Sequence, residues 1–397
     1  MPVPSAILDL PARTPELAAL LIRWCNQNSG SRNEAGLLAM ATLLEEGFAS
    51  LGGKTERVSL LGSSVPALRI RLRPEAKVSF LLSGHFDTVY DADDPFQICS
   101  PTGPDTLRGP GVIDMKGGLV VMLAALEAFE RTPHAARVGF EIVLNPDEEI
   151  GSFGAAAVIE EAARRHRLGL VFEPARPDGS LVQSRKGTGN FTITSHGRAA
   201  HAASAARDGR NAIAALAEFL TSAARLPEEM PGILLNIGRI RGGGPATNVV
   251  PDFAEALLDV RVTAASERAA LRARLDELAG TINRRPGFRL EIVGEFNRPP
   301  MERSAVADQV LHHWQTCASD LGQSPPSAIH AGGASDANLL SAAGLPCLDG
   351  LGPVGDRLHS PEEWVQVSSL ARRAQVAALF LHRVASREIE WPLAGPR

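Results

Sequence analysis

His85 and Asp87 stand two apart just past an apolar run, Phe80–Leu82, that stops at Ser83-Gly84. An imidazole can bind a divalent metal through one ring nitrogen while a nearby carboxylate holds the other. Taken alone, the pair reads more simply as a strand-end histidine solvated beside a turn. Other positions carry the same chemistry. Asp114 sits in the glycine-dense run DTLRGPGVIDMKGG (105–118), Glu148 and Glu149 follow the apolar run 137–144, Glu173 ends the run 168–172, and His359 lies in GPVGDRLHS (352–360). Each has a plainer alternative: a helix cap for Asp114, a solvated turn for the acids 147–149. Three apolar runs that each end in a potential ligand outweigh those alternatives. Two imidazoles and three carboxylates without a thiolate suit Zn²⁺, with Co²⁺ or Mn²⁺ also fitting. One carboxylate bridging two ions, with two further ligands on each, leaves room for a shared water whose pKa falls between metals roughly 3.5–4 Å apart. Glu148 adjoins Glu149 but faces the other way, so it can take that water's proton and pass it to a leaving amine.

These residues need a sheet to hold them. The runs 67–72, 78–82, 137–144 and 168–172 read as strands, preceded by a helix from about 33 to 49, with a buried helix over 118–129 and another from Gly151-Ser152 to about Arg164 between them. In an open α/β sheet, ligands gather beyond the carboxyl ends of the strands, which is where His85, Glu149 and Glu173 fall. An N-terminal helix opens at Thr14-Pro15-Glu16. From about Gly187 the pattern changes. Strands at 190–195, 233–240, 255–262 and 288–293 and helices at 210–226 and 266–283 give the order β-α-β-β-α-β of a ferredoxin-like unit. Arg298-Pro299-Pro300 marks the return to the first domain. A helix over 305–321, a glycine-rich loop at 331–338, a strand at 345–351 and a final helix over 364–384 complete the chain. The fold class is α/β: a mixed, mostly parallel sheet flanked by helices in residues 1–186 and 298–397, with an inserted α+β domain over 187–297.

The composition is that of a globular chain of 397 residues, 44% hydrophobic and 21% charged. A net charge of -5 gives no basic surface for nucleic acid or anionic membrane. Cys25, Cys99, Cys317 and Cys347 form no CxxC pair and read as free thiols. No basic segment followed by an apolar one opens the chain, and the apolar stretch 119–126 is far short of a membrane span. The expected location is the cytoplasm.

The motifs SGHFDTV, GPGVIDMKGG, NPDEEIGS, FEP and GLGPVGDRLHS, in this order over nearly the whole chain, resemble the co-catalytic zinc metallopeptidase family. That family contains glutamate carboxypeptidase, acetylornithine deacetylase, succinyl-diaminopimelate desuccinylase and aminoacylase. The resemblance implies two Zn²⁺ per subunit, one on His85, Asp114 and Glu173 and the other on Asp114, Glu149 and His359. It makes Asp114 the bridge, Glu148 the general base and Asp87 the residue that orients His85, and it suggests a cis peptide after Asp114. Glu rather than Asp at position 173 resembles the carboxypeptidase and aminoacylase branches. The inserted domain is similar to the family's lid, which also makes a homodimer contact. There His201, in GRAAHAAS, matches a histidine that reaches across the dimer to polarise the scissile carbonyl. Asn248 matches a substrate-contacting asparagine, and Arg261 matches an arginine that holds the substrate carboxylate. Gly332, Gly333 and Ser335 match a loop beside that carboxylate. Ala202-Ala203-Ser204 depart from the Gly and Pro that often follow this histidine in the family.

The expected activity is hydrolysis of an amide bond next to a free carboxylate, in the manner of a glutamate carboxypeptidase, with a small peptide or N-acyl amino acid as substrate. An N-acyl-amino-acid deacylase with the same machinery is the first alternative. A non-catalytic binding protein on the same scaffold is the second, and the presence of all five ligands and Glu148 speaks against it.

Overall fold

The computed structural model describes residues 2–391; residue 1 and residues 392–397, the ends of the expected first domain, lie outside the described residues. Two compact units divide the chain. One takes the residues up to Ser184, Arg303–Ala331 and those from Ser335 onward; the other takes Arg185–Glu302 with Gly332–Ala334.

The first unit is built on a six-stranded sheet in the order Lys54–Val58, Ala67–Leu72, Val138–Asn145, Val78–His85, Gly169–Val171, Cys347–Leu348. The first two strands join antiparallel and the last four run parallel. The two long inner strands are buried along most or all of their length, which is why they read as continuous apolar runs rather than alternating ones. Helix Lys116–Glu130 is also buried nearly all round. It packs against helices Thr14–Cys25 and Val367–Ser386, and its Leu, Val, Met and Phe side chains join one continuous core. Each such buried side chain contributes ~1.5–3 kcal/mol relative to exposure. Gly118 lies so close to the carbonyl of Phe172 that a Cβ there would collide with it. That contact sets the helix against the end of strand 169–171.

A small second sheet holds the other half of the site. Ser100–Gly103, Thr106–Arg108, Trp364–Gln366 and Gly355–Asp356 pair in the order 355–356, 364–366, 106–108, 100–103. His359 lies in the connection between two of these strands, and the Asp114 loop follows a third. Here the structure corrects the expected helix start at 364. Val365 is fully buried and pairs with Leu107, while Gln366 and Ser368 bind the Asp105 carboxylate, so helix begins only at Val367. The helix expected from Gly151-Ser152 begins at Ala156 instead, because both residues take positive φ. The strand expected over 345–351 is reduced to Cys347–Leu348, and Gly350 at φ 74° turns the chain away. Strands Lys54–Val58 and Leu181–Arg185 and the hairpin 100–108 were not expected.

The second unit carries a four-stranded antiparallel sheet in the order Leu234–Gly242, Phe253–Val262, Gly187–His196, Arg289–Arg298. Helices Ala212–Ala223 and Ala265–Asn283 pack on it around Phe191, Ile193, Leu216, Leu258 and Leu275. Numbered within the unit, the strand order is 2-3-1-4, which is the ferredoxin-like arrangement expected from β-α-β-β-α-β.

Candidate metal centre

Three adjacent parallel strands end side by side, and each delivers a candidate ligand. His85 is the last residue of Val78–His85, Glu149 sits in a short 3₁₀ turn after Val138–Asn145, and Glu173 follows Gly169–Val171 by two residues. The Asp114–Met115 peptide is cis. Ligand atoms of His85, Asp114 and Glu149 all lie within 4.8 Å of one another. His85 Nε2 is 3.1 Å from Asp114 Oδ1 and 3.7 Å from Glu173 Oε1. His359 Nε2 is 3.2 Å from Asp114 Oδ2 and 3.1 Å from Glu149 Oε2. Asp114 thus turns one oxygen to each imidazole. The His359 side chain is 52% exposed whereas His85 is 1%, so the site opens on the His359 side.

The electrostatics mark a place for cations. Hydrogen bonds to Asp114 and Glu149 push the His359 imidazole up to about 11. Burial disfavours charge on His85, yet its bonds to Asp114 and Asp87 outweigh burial and hold it well above the usual histidine range. Burial raises Glu173 and Glu149, reinforced by the nearby Asp114. Carboxylates crowded this closely favour whatever positive charge reaches them. Two imidazoles and three carboxylates with converging lone pairs are a donor set that fits divalent metal, and without metal only protons answer that demand.

Asp87 does more than face His85. Its Oδ1 is 3.2 Å from His85 Nδ1. The backbone N–H groups of Glu148 and Glu149 donate to its two oxygens at 3.1 and 3.0 Å, and Ser31 Oγ donates at 2.8 Å. One buried carboxylate therefore fixes a candidate ligand, His85, and the turn that carries Glu148 and Glu149.

Glu363 escaped the sequence reading. It is buried, and its carboxylate accepts from the backbone N–H groups of Gly111, Ile113 and Asp114 at 3.1, 2.9 and 3.1 Å. Tyr90 Oη lies 2.8 Å from its Oε2. Glu363 stands four residues after His359, so it ties the His359 turn to the Asp114 loop. Lys116 anchors the loop's other end by donating to the carbonyls of Trp24 and Gln27.

In the second unit, His201 bridges to Val249, and Ala202 N donates to the Asn248 carbonyl at 2.9 Å, so the His201 and Asn248 segments are neighbours. Arg261 forms a two-pronged ion pair with Asp259, both bonds at 2.8 Å. Gly333 accepts from Arg185 Nη1 at 3.0 Å. Ser335 is buried in the first unit, where it caps helix Asp336–Ala342 and donates to Asp349 at 2.9 Å.

The model of peptidase family M20/M25/M40 matches residues 81–383. Carboxypeptidase G2 of Pseudomonas sp. (strain RS-16) is 26% identical over 378 residues, 92% of this chain and 89% of that protein. A succinyl-diaminopimelate desuccinylase of Methylorubrum populi is 32% identical over 302 residues, 70% of this chain and 74% of that protein. The crystal structure of aminopeptidase PepT from Bacillus cereus superposes with a TM-score of 0.79 at 22% identity, covering 94% of this chain and 99% of that one.

Proposed function

The chain belongs to peptidase family M20/M25/M40, whose members are metallo-hydrolases of the peptidase and deacylase kind, and we propose that it cleaves an amide bond next to a free carboxylate in the manner of a glutamate carboxypeptidase. The observation that carries this reading is Asp114, with one oxygen toward His85 and the other toward His359, inside a group of five convergent donors. His85, Asp114 and Glu173 would hold one Zn²⁺ and Asp114, Glu149 and His359 a second, and the pair would supply Lewis acidity and a lowered water pKa.

The chain's own residues do the rest. Asp87, held by Ser31 and two backbone N–H groups, keeps His85 in one orientation. Glu148, on the turn that Asp87 clamps, takes the proton of the attacking water and delivers it to the departing amine. His201, contributed by the second subunit of a homodimer, donates to the oxygen that gains charge. Arg261 binds the substrate's carboxylate by exchanging Asp259 for it, since both present the planar acceptor a guanidinium prefers. Asn248 and the Gly332-Gly333 backbone supply further polar contacts, and Ser335 supports that loop through Asp349. Four buried free thiols fit a reducing, cytoplasmic setting.

A panel of dipeptides with C-terminal Glu and of simple N-acyl amino acids tests the substrate class. Turnover of the first group supports the carboxypeptidase reading. Turnover of the second alone favours the deacylase, a reading to which the 32% identity with a desuccinylase lends weight.

A further inference from the structure

Beside Glu149 lies a hollow of about 190 Å³, lined by Ser31, Arg32, Thr88, Asp91, Glu149 and Ile150 among others. It is a built feature. Ser31 N donates to the Thr88 carbonyl at 3.0 Å, and Ser31 Oγ donates to Asp87. Gly30 forms a bridge with Thr88, where a Cβ on Gly30 would strike the Tyr90 carbonyl. The backbone carrying Arg32 is therefore fixed to the residues that support His85 and Glu148.

Arg32 is the one cation among the described residues that line the hollow. Its side chain is 82% exposed, and its charge partner, Asp91, stands 3.9 Å away, beyond hydrogen-bond reach. Asp87 and Arg261 are closely engaged with protein partners, whereas the Arg32 guanidinium keeps its donors available. The hollow has room for a short side chain ending in a carboxylate.

We infer that Arg32 is a specificity-determining residue that binds a second carboxylate of the substrate, on either its amino-acid part or its acyl part. The inference rests on the hydrolase reading above and narrows its substrates to dianionic amides. Asp91 limits the preference by competing for the same guanidinium.

The test compares matched substrates that differ only in charge, using the metal-loaded protein. N-benzoyl-Glu against N-benzoyl-Gln probes the amino-acid part, and N-succinyl-Ala against N-succinamoyl-Ala probes the acyl part. In Arg32→Ala, the ratio of kcat/KM for the acidic over the neutral member should fall about twofold to fivefold in one of the two pairs, mainly through KM. The pair that responds identifies which part of the substrate carries the charge. Asp91→Asn should move the same ratio the opposite way, and Arg32→Lys should restore part of it. An unchanged ratio in both pairs, with wild type turning over at least one substrate, overturns the role of Arg32 and leaves the hydrolase reading intact. Absence of turnover in fully metal-loaded wild type, on all four substrates and the dipeptide panel, overturns both.

Discussion

At the scale of the residue, the proposed mechanism divides labour between neighbours. Glu148 and Glu149 are consecutive, yet Glu149 accepts from His359 while Glu148 is assigned the proton. Glu148→Gln should retain both metals and lose turnover by about 10²–10⁴, read from metal analysis and kcat on one preparation. Normal turnover in that variant would remove Glu148 from the mechanism. Arg261 was expected as a carboxylate anchor, and its bidentate pairing with Asp259 gives that expectation a sharper form. Asp259→Ala should lower KM for carboxylate-bearing substrates by severalfold if Asp259 competes with them. A raised KM would mean that Asp259 positions Arg261 instead.

At the scale of the element, the site depends on how strand ends and loops are tied together. Glu363 holds the N–H groups of Gly111, Ile113 and Asp114 with one carboxylate, and Glu363→Ala would leave those buried donors unpaired. Metal affinity should fall about 10–100-fold, measured by chelator competition, with far-UV circular dichroism unchanged. A second tie is electrostatic. Glu141, on the central strand Val138–Asn145, is held down to about 2: burial alone would raise it, but hydrogen bonds from His166 and Arg165 prevail. Its folded pKa is below the ordinary one, so its stabilisation is complete above about pH 4.5 and is lost as pH falls toward 2. Denaturant midpoints should therefore drop across that window in wild type and drop less in Glu141→Gln. His85, Glu149 and Glu173 were legible because each follows an apolar run, and a strand end leaves that trace in the sequence. Glu363 was not, because a carboxylate that caps distant backbone N–H groups has no spacing to betray it. The helix expected from Trp364 failed for a related reason: apolar Val365 fits a helix face and a strand face alike, and only pairing with Leu107 decides. The Ser31 and Arg32 wall was likewise invisible, since its bonds to Asp87 and Thr88 span more than fifty residues.

At the scale of the whole molecule, a mixed, mostly parallel α/β unit and a ferredoxin-like unit were both readable from the order of their elements, although the edge strand Lys54–Val58 was not. What the order cannot carry is assembly. If His201 acts across a dimer, mixing His201→Ala with Glu148→Gln subunits should restore up to about a quarter of wild-type activity, because one site in the hybrid receives both intact residues. No recovery after confirmed subunit exchange would place His201 outside catalysis in trans. Among the described residues no helix is long and apolar enough to cross a membrane. The most direct test of the account is a stoichiometric titration of metal-free protein with Zn²⁺ while hydrolysis of the best substrate is followed. Activity that rises and saturates at two equivalents per chain is the predicted result. Saturation at one equivalent, or turnover that ignores added metal, would contradict a site in which Asp114 joins two ions.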